Sequence, residues 1–258
     1  MHSYLVLLFS IIYLSVQAQQ AIKAPKAAEK PFKFKIHDKE LQDEFAWLRN
    51  LKDPAVIQHL NNENAYVDAM MFGTLEMQKT LKEEHIARIE KEKKTPPFII
   101  NNFAYYFDRK EGQSYSSLYR QDTAGNGAPR IMIDVNQLAT QYPYFRLFDF
   151  KISPDNNWIA YRADTLGSNE GVLFIRNIRG KDLIKVNARV SHMEWMANSR
   201  DIIYSLMNDE WRNDKIIMQN INNLQNSYKI LLEEKDALYG FRMTKSRSGK
   251  YIFIQSQS

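Results

Sequence analysis

Ser153-Pro154-Asp155-Asn156-Asn157-Trp158-Ile159-Ala160-Tyr161 recurs without gaps as Met196-Ala197-Asn198-Ser199-Arg200-Asp201-Ile202-Ile203-Tyr204, and again as Ser246-Arg247-Ser248-Gly249-Lys250-Tyr251-Ile252-Phe253-Ile254. Each copy is a polar turn running into an apolar strand rich in β-branched and aromatic residues. Ile159, Ile202 and Ile252 hold the same place in the three copies, 43 and 50 residues apart. A weaker copy, Asn101-Asn102-Phe103-Ala104-Tyr105-Tyr106, lies upstream. Repeats of that length, each opening on a strand, are the signature of β-propeller blades.

Further strand candidates fill each unit. Gly171–Ile175 and Lys215–Met218 follow the repeat, and then Leu183–Val186 and Tyr228–Leu232, which makes four strands per unit as a blade requires. Residues 96–258 are therefore read as an incomplete propeller of about three to four blades, the last beginning near Tyr239.

The composition agrees with a folded chain. Of 258 residues 44% are hydrophobic and 25% charged, with nine Gly and eight Pro, which excludes a collagenous or broadly disordered polymer. There is no Cys, so disulfides, thiolate metal sites, iron–sulfur clusters and cysteine nucleophiles are excluded. The formal net charge of +5 is spread among acids rather than gathered in a stripe, so no nucleic-acid partner is expected.

Upstream of the repeats the pattern changes. Tyr4 to Val16 is an apolar run too short to span a bilayer, and Val16-Gln17-Ala18 supplies small residues for cleavage, so residues 1–18 are read as a signal peptide whose n-region carries only the amino terminus and His2. Export to the periplasm or medium, with no membrane association after cleavage, is the expectation. Residues 19–32, with Lys23, Lys26, Lys30, Pro25 and Pro31, read as a linker. Residues 33–95 read as a helical segment. Leu41, Phe45 and Leu48 suggest a short amphipathic helix ending near Asn50, and Asp53-Pro54 then starts a second helix. Its stripe runs through Val56, Leu60, Val67, Met71, Leu75, Gln78, Leu81, His85 and Ile89, divided at Gly73 and stopped by Thr95-Pro96-Pro97.

In these stretches the chain resembles the prolyl oligopeptidase family of serine peptidases, and within it most closely the oligopeptidase B (protease II) branch. The resemblance begins at Phe45-Ala46-Trp47-Leu48-Arg49-Asn50, continues through Asp53-Pro54-Ala55-Val56-Ile57 and Leu60 to Tyr66, and includes Arg88-Ile89, Gly112-Gln113-Ser114-Tyr115 and Arg120. Ile133-Asp134-Val135-Asn136-Gln137-Leu138-Ala139, Ser153-Pro154-Asp155, Glu233-Glu234-Lys235-Asp236 and Ser246 to Ile252 follow in family order. The family implies an amino-terminal helical segment, a seven-bladed propeller that restricts access to peptides, and a carboxy-terminal α/β-hydrolase domain carrying a Ser-Asp-His triad.

That last domain has no counterpart in these residues. The nucleophile elbow needs G-x-S-x-G, and the only glycines four apart, Gly167 and Gly171, flank Asn169. His37, His59, His85 and His192 match no triad or metal motif and are read as structural or surface residues. Glu83-Glu84 and Glu233-Glu234 read as solvated pairs, and Trp158, Trp195, Tyr161 and Tyr204 as blade packing rather than a stacking platform. Arg109, Arg162 and Arg212 lie close to strand ends without an assigned role. No catalytic, metal-binding or cofactor-binding residue is assigned, and no cofactor is expected.

The expected function is that of the amino-terminal propeller region of an exported oligopeptidase B-like endopeptidase. Short peptides would be its substrates and a missing carboxy-terminal catalytic half its partner, with no hydrolysis by this chain alone. The alternative is a non-catalytic propeller that holds a peptide or protein partner.

Overall fold

The computed structural model describes residues 23–258 apart from 126, 181–182, 187–188 and 224–227. The signal segment read at 1–18 and the start of the linker lie outside the described residues. The chain divides into two compact units, with the boundary between Ile89 and Glu90.

The first unit opens with a β-hairpin. Strands β1 (Phe32–Ile36) and β2 (Lys39–Asp43) pair antiparallel around His37 and Asp38, both at positive φ. The helix expected around Leu41, Phe45 and Leu48 shrinks to one 3-10 turn, Ala46–Arg49, because Leu41 is committed to the hairpin. Trp47 is held there by an indole hydrogen bond to the Ala28 carbonyl (2.9 Å) and by the Lys30 ammonium 4.3 Å from its ring centre. Helix α1 (Pro54–Met71) begins as the sequence signals, with Asp53 accepting from the Ala55 N–H and Pro54 in the first turn. A 3-10 turn at Phe72–Thr74, containing Gly73, separates it from α2 (Leu75–Arg88). Helix α2 stops at Arg88, short of the prolines.

Those prolines do something else. In the second unit β3 (Lys93–Lys94) and β4 (Phe98–Ile100) both pair with β5 (Phe103–Arg109), so they form one strand interrupted at Thr95-Pro96-Pro97, where two residues cannot donate to the ladder. Strands β6 (Ser117–Asp122) and β7 (Arg130–Ile133) complete the first sheet. The short helix α3 (Val135–Ala139), capped by the Asp134 carboxylate accepting from the Gln137 N–H (3.0 Å), leads out of it.

Two four-stranded antiparallel meanders follow: β8 (Arg146–Ile152), β9 (Trp158–Asp164), β10 (Val172–Asn177) and β11 (Leu183–Val186), then β12 (Val190–Trp195), β13 (Asp201–Met207), β14 (Asn213–Asn220) and β15 (Tyr228–Glu233). Strands β16 (Gly240–Lys245) and β17 (Ile252–Gln257) form a fourth, two-stranded sheet. This is a partial propeller, mainly β, with no closed ring among the described residues.

Each blade packs on the next through side chains alternating across its strands. Ile159 and Tyr161 of β9 join Tyr105 and Leu118 of the first blade, while Ala160 between them joins Met193, Trp195 and Tyr204 of the third. Ile203 and Ile216 then meet Phe241 and Met243 of the fourth sheet. Because central blade strands are covered on both faces, they read as continuous apolar runs rather than clean alternations.

The repeated turns also share one geometry. Asn156, Ser199 and Gly249, fourth in each copy of the repeat, all have positive φ (58°, 55° and 72°), and each donates its N–H to the first residue's carbonyl. The upstream copy differs: Asn101 and Asn102 form a two-residue hairpin turn with both φ values positive.

Candidate functional site

Blade topology puts two kinds of connection at one end of the propeller. Turns from second to third strand (110–116, 165–171, 208–212) and the described links to the next blade's first strand (134–145, 234–239) gather there. This end presents large apolar tips to solvent: Tyr115, Tyr144, Leu166, Trp211, Leu238 and Tyr239. Trp211 has φ 63°, a left-handed backbone unusual for a bulky side chain, fixed because the Asn208 side chain accepts from the N–H groups of Glu210 and Arg212.

Arginines clip the blades together just beneath these tips. Arg162 makes a two-pronged bond to Asp149 (2.9 and 3.0 Å) and donates to the Val190 carbonyl of the next blade (2.8 Å). Arg189 joins Glu170 (2.8 Å) and Asp209 (2.7 Å), tying the turn of one blade to that of the next. Arg212 donates to the carbonyls of Asp236 and Tyr239 at the entry to β16, and Arg109 to that of Glu90. The three strand-end arginines left without a role in the sequence are therefore structural clamps, with the Arg162 guanidinium committed to Asp149 and the Val190 carbonyl.

The first strands β8, β12 and β16 lie side by side and form the inner wall. Lys151 pairs with Glu194, Trp195 donates its indole N–H to the Lys151 carbonyl (3.1 Å), and Lys245 donates to the Trp195 carbonyl (2.9 Å). Thus the ends of successive inner strands are linked in series. Trp195, Tyr161 and Tyr204 are buried between blades, with Tyr161 stacked on Phe174 at 5.0 Å and Tyr204 donating to Gln219 (2.8 Å).

His192, also on the inner wall, comes nearest to a nucleophile–base pair. Its Nδ1 lies 3.0 Å from the Ser191 hydroxyl, but that hydroxyl also reaches Asn213 Oδ1 (2.5 Å). Burial, then the Arg162 guanidinium, holds its pKa below the ordinary 6.5, and among the described residues no carboxylate is hydrogen-bonded to its ring. A weak base without an orienting acid does not make a triad. His37 sits in a hairpin turn, His59 packs against Trp47 and His85 lies exposed on α2. Glu84 pairs with Arg88 and Glu233 with Lys215, while Glu234 accepts from Ser256. Among the described residues no group of three or more His, Asp or Glu side chains could hold a metal ion, and no helix is long and apolar enough to cross a membrane.

A cleft of about 630 Å³ opens at the apolar-tipped end, where the first blade meets the second. It lies against the broken inner strand, at Lys93 and Thr95, and against β8 from Arg146 to Asp149. Sequence reasoning missed it because its lining comes from five separate segments.

Residues 25–258 match the family described as prolyl oligopeptidase, N-terminal beta-propeller domain. Dipeptidyl aminopeptidase BI from Pseudoxanthomonas mexicana is 27% identical over 98% of this chain, and Protease 2 from Moraxella lacunata 24% over 92%. The chain spans 38% and 36% of those relatives. Among solved structures, oligopeptidase B from Leishmania major superposes over 92% of this chain and 36% of its own, with a TM-score of 0.83 at 23% identity. Oligopeptidase B from Trypanosoma brucei, in a closed form with covalently bound antipain, gives a TM-score of 0.81 at 22% identity.

Proposed function

Because the chain belongs to the prolyl oligopeptidase family, through its amino-terminal propeller, we propose that it is the access-controlling part of an exported serine endopeptidase of the oligopeptidase B kind. The observation that carries this reading is the apolar-tipped end. Strand β3 enters the first blade from that end, and a complete four-stranded blade also returns the chain to it, so a hydrolase domain joined after the propeller would sit over those tips. Nucleophile, base and oxyanion donors would then come from that domain. The inner wall, braced by Lys151–Glu194 and the Trp195 and Lys245 bonds, would limit entry to peptides.

The test is to join this chain to the carboxy-terminal part of Protease 2 from Moraxella lacunata and assay fluorogenic peptides and a folded protein. The reading requires peptide hydrolysis that spares the folded protein, none by the 258-residue chain alone, and loss of activity when Trp211 and Leu238 are replaced by Asp. Hydrolysis by the chain alone, or an inert but folded fusion, overturns it. Export requires a mature amino terminus at Gln19 outside the cytoplasm; a cytoplasmic protein that keeps Met1 or His2 defeats it.

A further inference from the structure

The cleft between the first two blades has an uneven charge balance. Its walls are largely aromatic, with Phe107, Tyr115, Tyr144 and Phe148 around one opening, and its volume of about 630 Å³ lies within the roughly 300–1,000 Å³ usual for ligand pockets. Three charged side chains line it: Lys93, Arg146 and Asp149. Asp149 has both oxygens occupied by Arg162 and is neutralised in place. Lys93 is exposed and has no ion-pair partner among the described residues. Arg146 makes one long contact to Asn169 Oδ1 (3.4 Å), and its guanidinium lies over the Phe148 ring, 5.4 Å from the centre. Two cations at an aromatic cleft are thus left without a counter-charge.

We infer that this cleft binds the carboxy-terminal residue of a peptide, with the free α-carboxylate between Lys93 and Arg146 and an apolar side chain against Phe107, Tyr144 and Phe148. A guanidinium already stacked on a ring keeps its N–H edge open for a carboxylate, and its orientation is set before the ligand arrives. A peptide's last residue carries an anion and a side chain on the same carbon, which matches a cationic rim on an apolar pocket. An internal segment carries only the side chain. The inference rests on the peptide-binding reading above, but it concerns this chain alone.

The test uses the whole 258-residue chain and a fluorescein-labelled hexapeptide ending in Phe, either as the free acid or as the amide, with fluorescence anisotropy as the readout. The acid should bind about tenfold or more tightly than the amide, and the ratio should shrink as salt is raised. Lys93→Gln and Arg146→Gln should each bring the ratio towards one; both side chains are exposed, and unchanged thermal midpoints will show that the fold is intact. Phe148→Ala should weaken acid and amide together. Equal binding of acid and amide by the unmodified chain, absence of binding at millimolar peptide, or an unchanged ratio in folded Arg146→Gln overturns the inference. Failure of the fusion to hydrolyse peptides would defeat the proposed function and leave this ratio untouched.

Discussion

The Val190 carbonyl oxygen lies 2.5 Å from the point where a β-carbon on Gly171 would stand. The approach is close because the two backbones pair, with the Val190 N–H donating to the Gly171 carbonyl (2.8 Å) while the Val190 carbonyl accepts from Arg162. One glycine thereby lets the second blade's turn touch the first strand of the third.

Gly171→Ala should therefore destabilise the chain by about 1–3 kcal/mol, since the obstacle is backbone that cannot rotate away. Gly73→Ala is the control: nothing lies within 4 Å of its added β-carbon, and it should be neutral or slightly stabilising. Urea unfolding of both variants checks this, and equal midpoints would remove the steric argument.

Acid should weaken the fold in two windows. His192 has a folded pKa below 6.5, lowered by burial and by Arg162, Arg242 and Lys151 against the opposing pull of Asp149. The unfolded chain therefore takes up the proton first, and stability falls as pH drops through 6.5 until the folded pKa is passed. Burial alone would raise Asp164, but the N–H groups of Leu166, Asn169 and Gly167 outweigh it and hold its pKa below 3.8. Its contribution is complete above that value and is lost at lower pH. Unfolding midpoints at pH 7.5 and 5.5 should differ less in His192→Gln than in the unmodified chain; an equal difference would show that His192 does not titrate on unfolding.

The 258-residue polypeptide should self-associate. Among the described residues strand β17 pairs only with β16, and Tyr251 (65% exposed), just before it, and Phe253 (55% exposed), within it, are open to solvent. Sedimentation velocity at tens of micromolar should show oligomers, and Phe253→Lys should shift the chain towards monomer. A monodisperse unmodified monomer would contradict this.

Helices α1 and α2 should exchange their amide hydrogens faster than the blade strands. Of the helical stripe only Val56 is buried, whereas β9 and β13 are covered on both faces. Equal protection around Leu81 and Ile202 would mean that the stripe is covered in solution.

The repeat turned out to be readable because blade strands are local objects. The turn residues at 153–157, 196–200 and 246–250 and the apolar runs after them specify hairpins over a few residues, and the positive φ values at Asn156, Ser199 and Gly249 fall where the alignment puts them. Asp53-Pro54 was likewise legible as a helix start, since a cap acts within one turn. Leu41 is ambiguous in the sequence because three apolar residues at helical spacing also fit a strand followed by a turn, and the pairing of β1 with β2 decides between them. The prolines at 96 and 97 fit a helix stop in the sequence but interrupt an inner strand, a role visible only once β5 lies beside them. The Arg162 clamp, the Lys151–Glu194 pair and the Lys93–Arg146 cleft join residues from separate strands or blades. Sequence by itself determined the local strands, the turns and the family resemblance. Tertiary structure alone decided which charges meet and which are left unpaired, because that depends on how neighbouring blades stack rather than on any spacing along the chain.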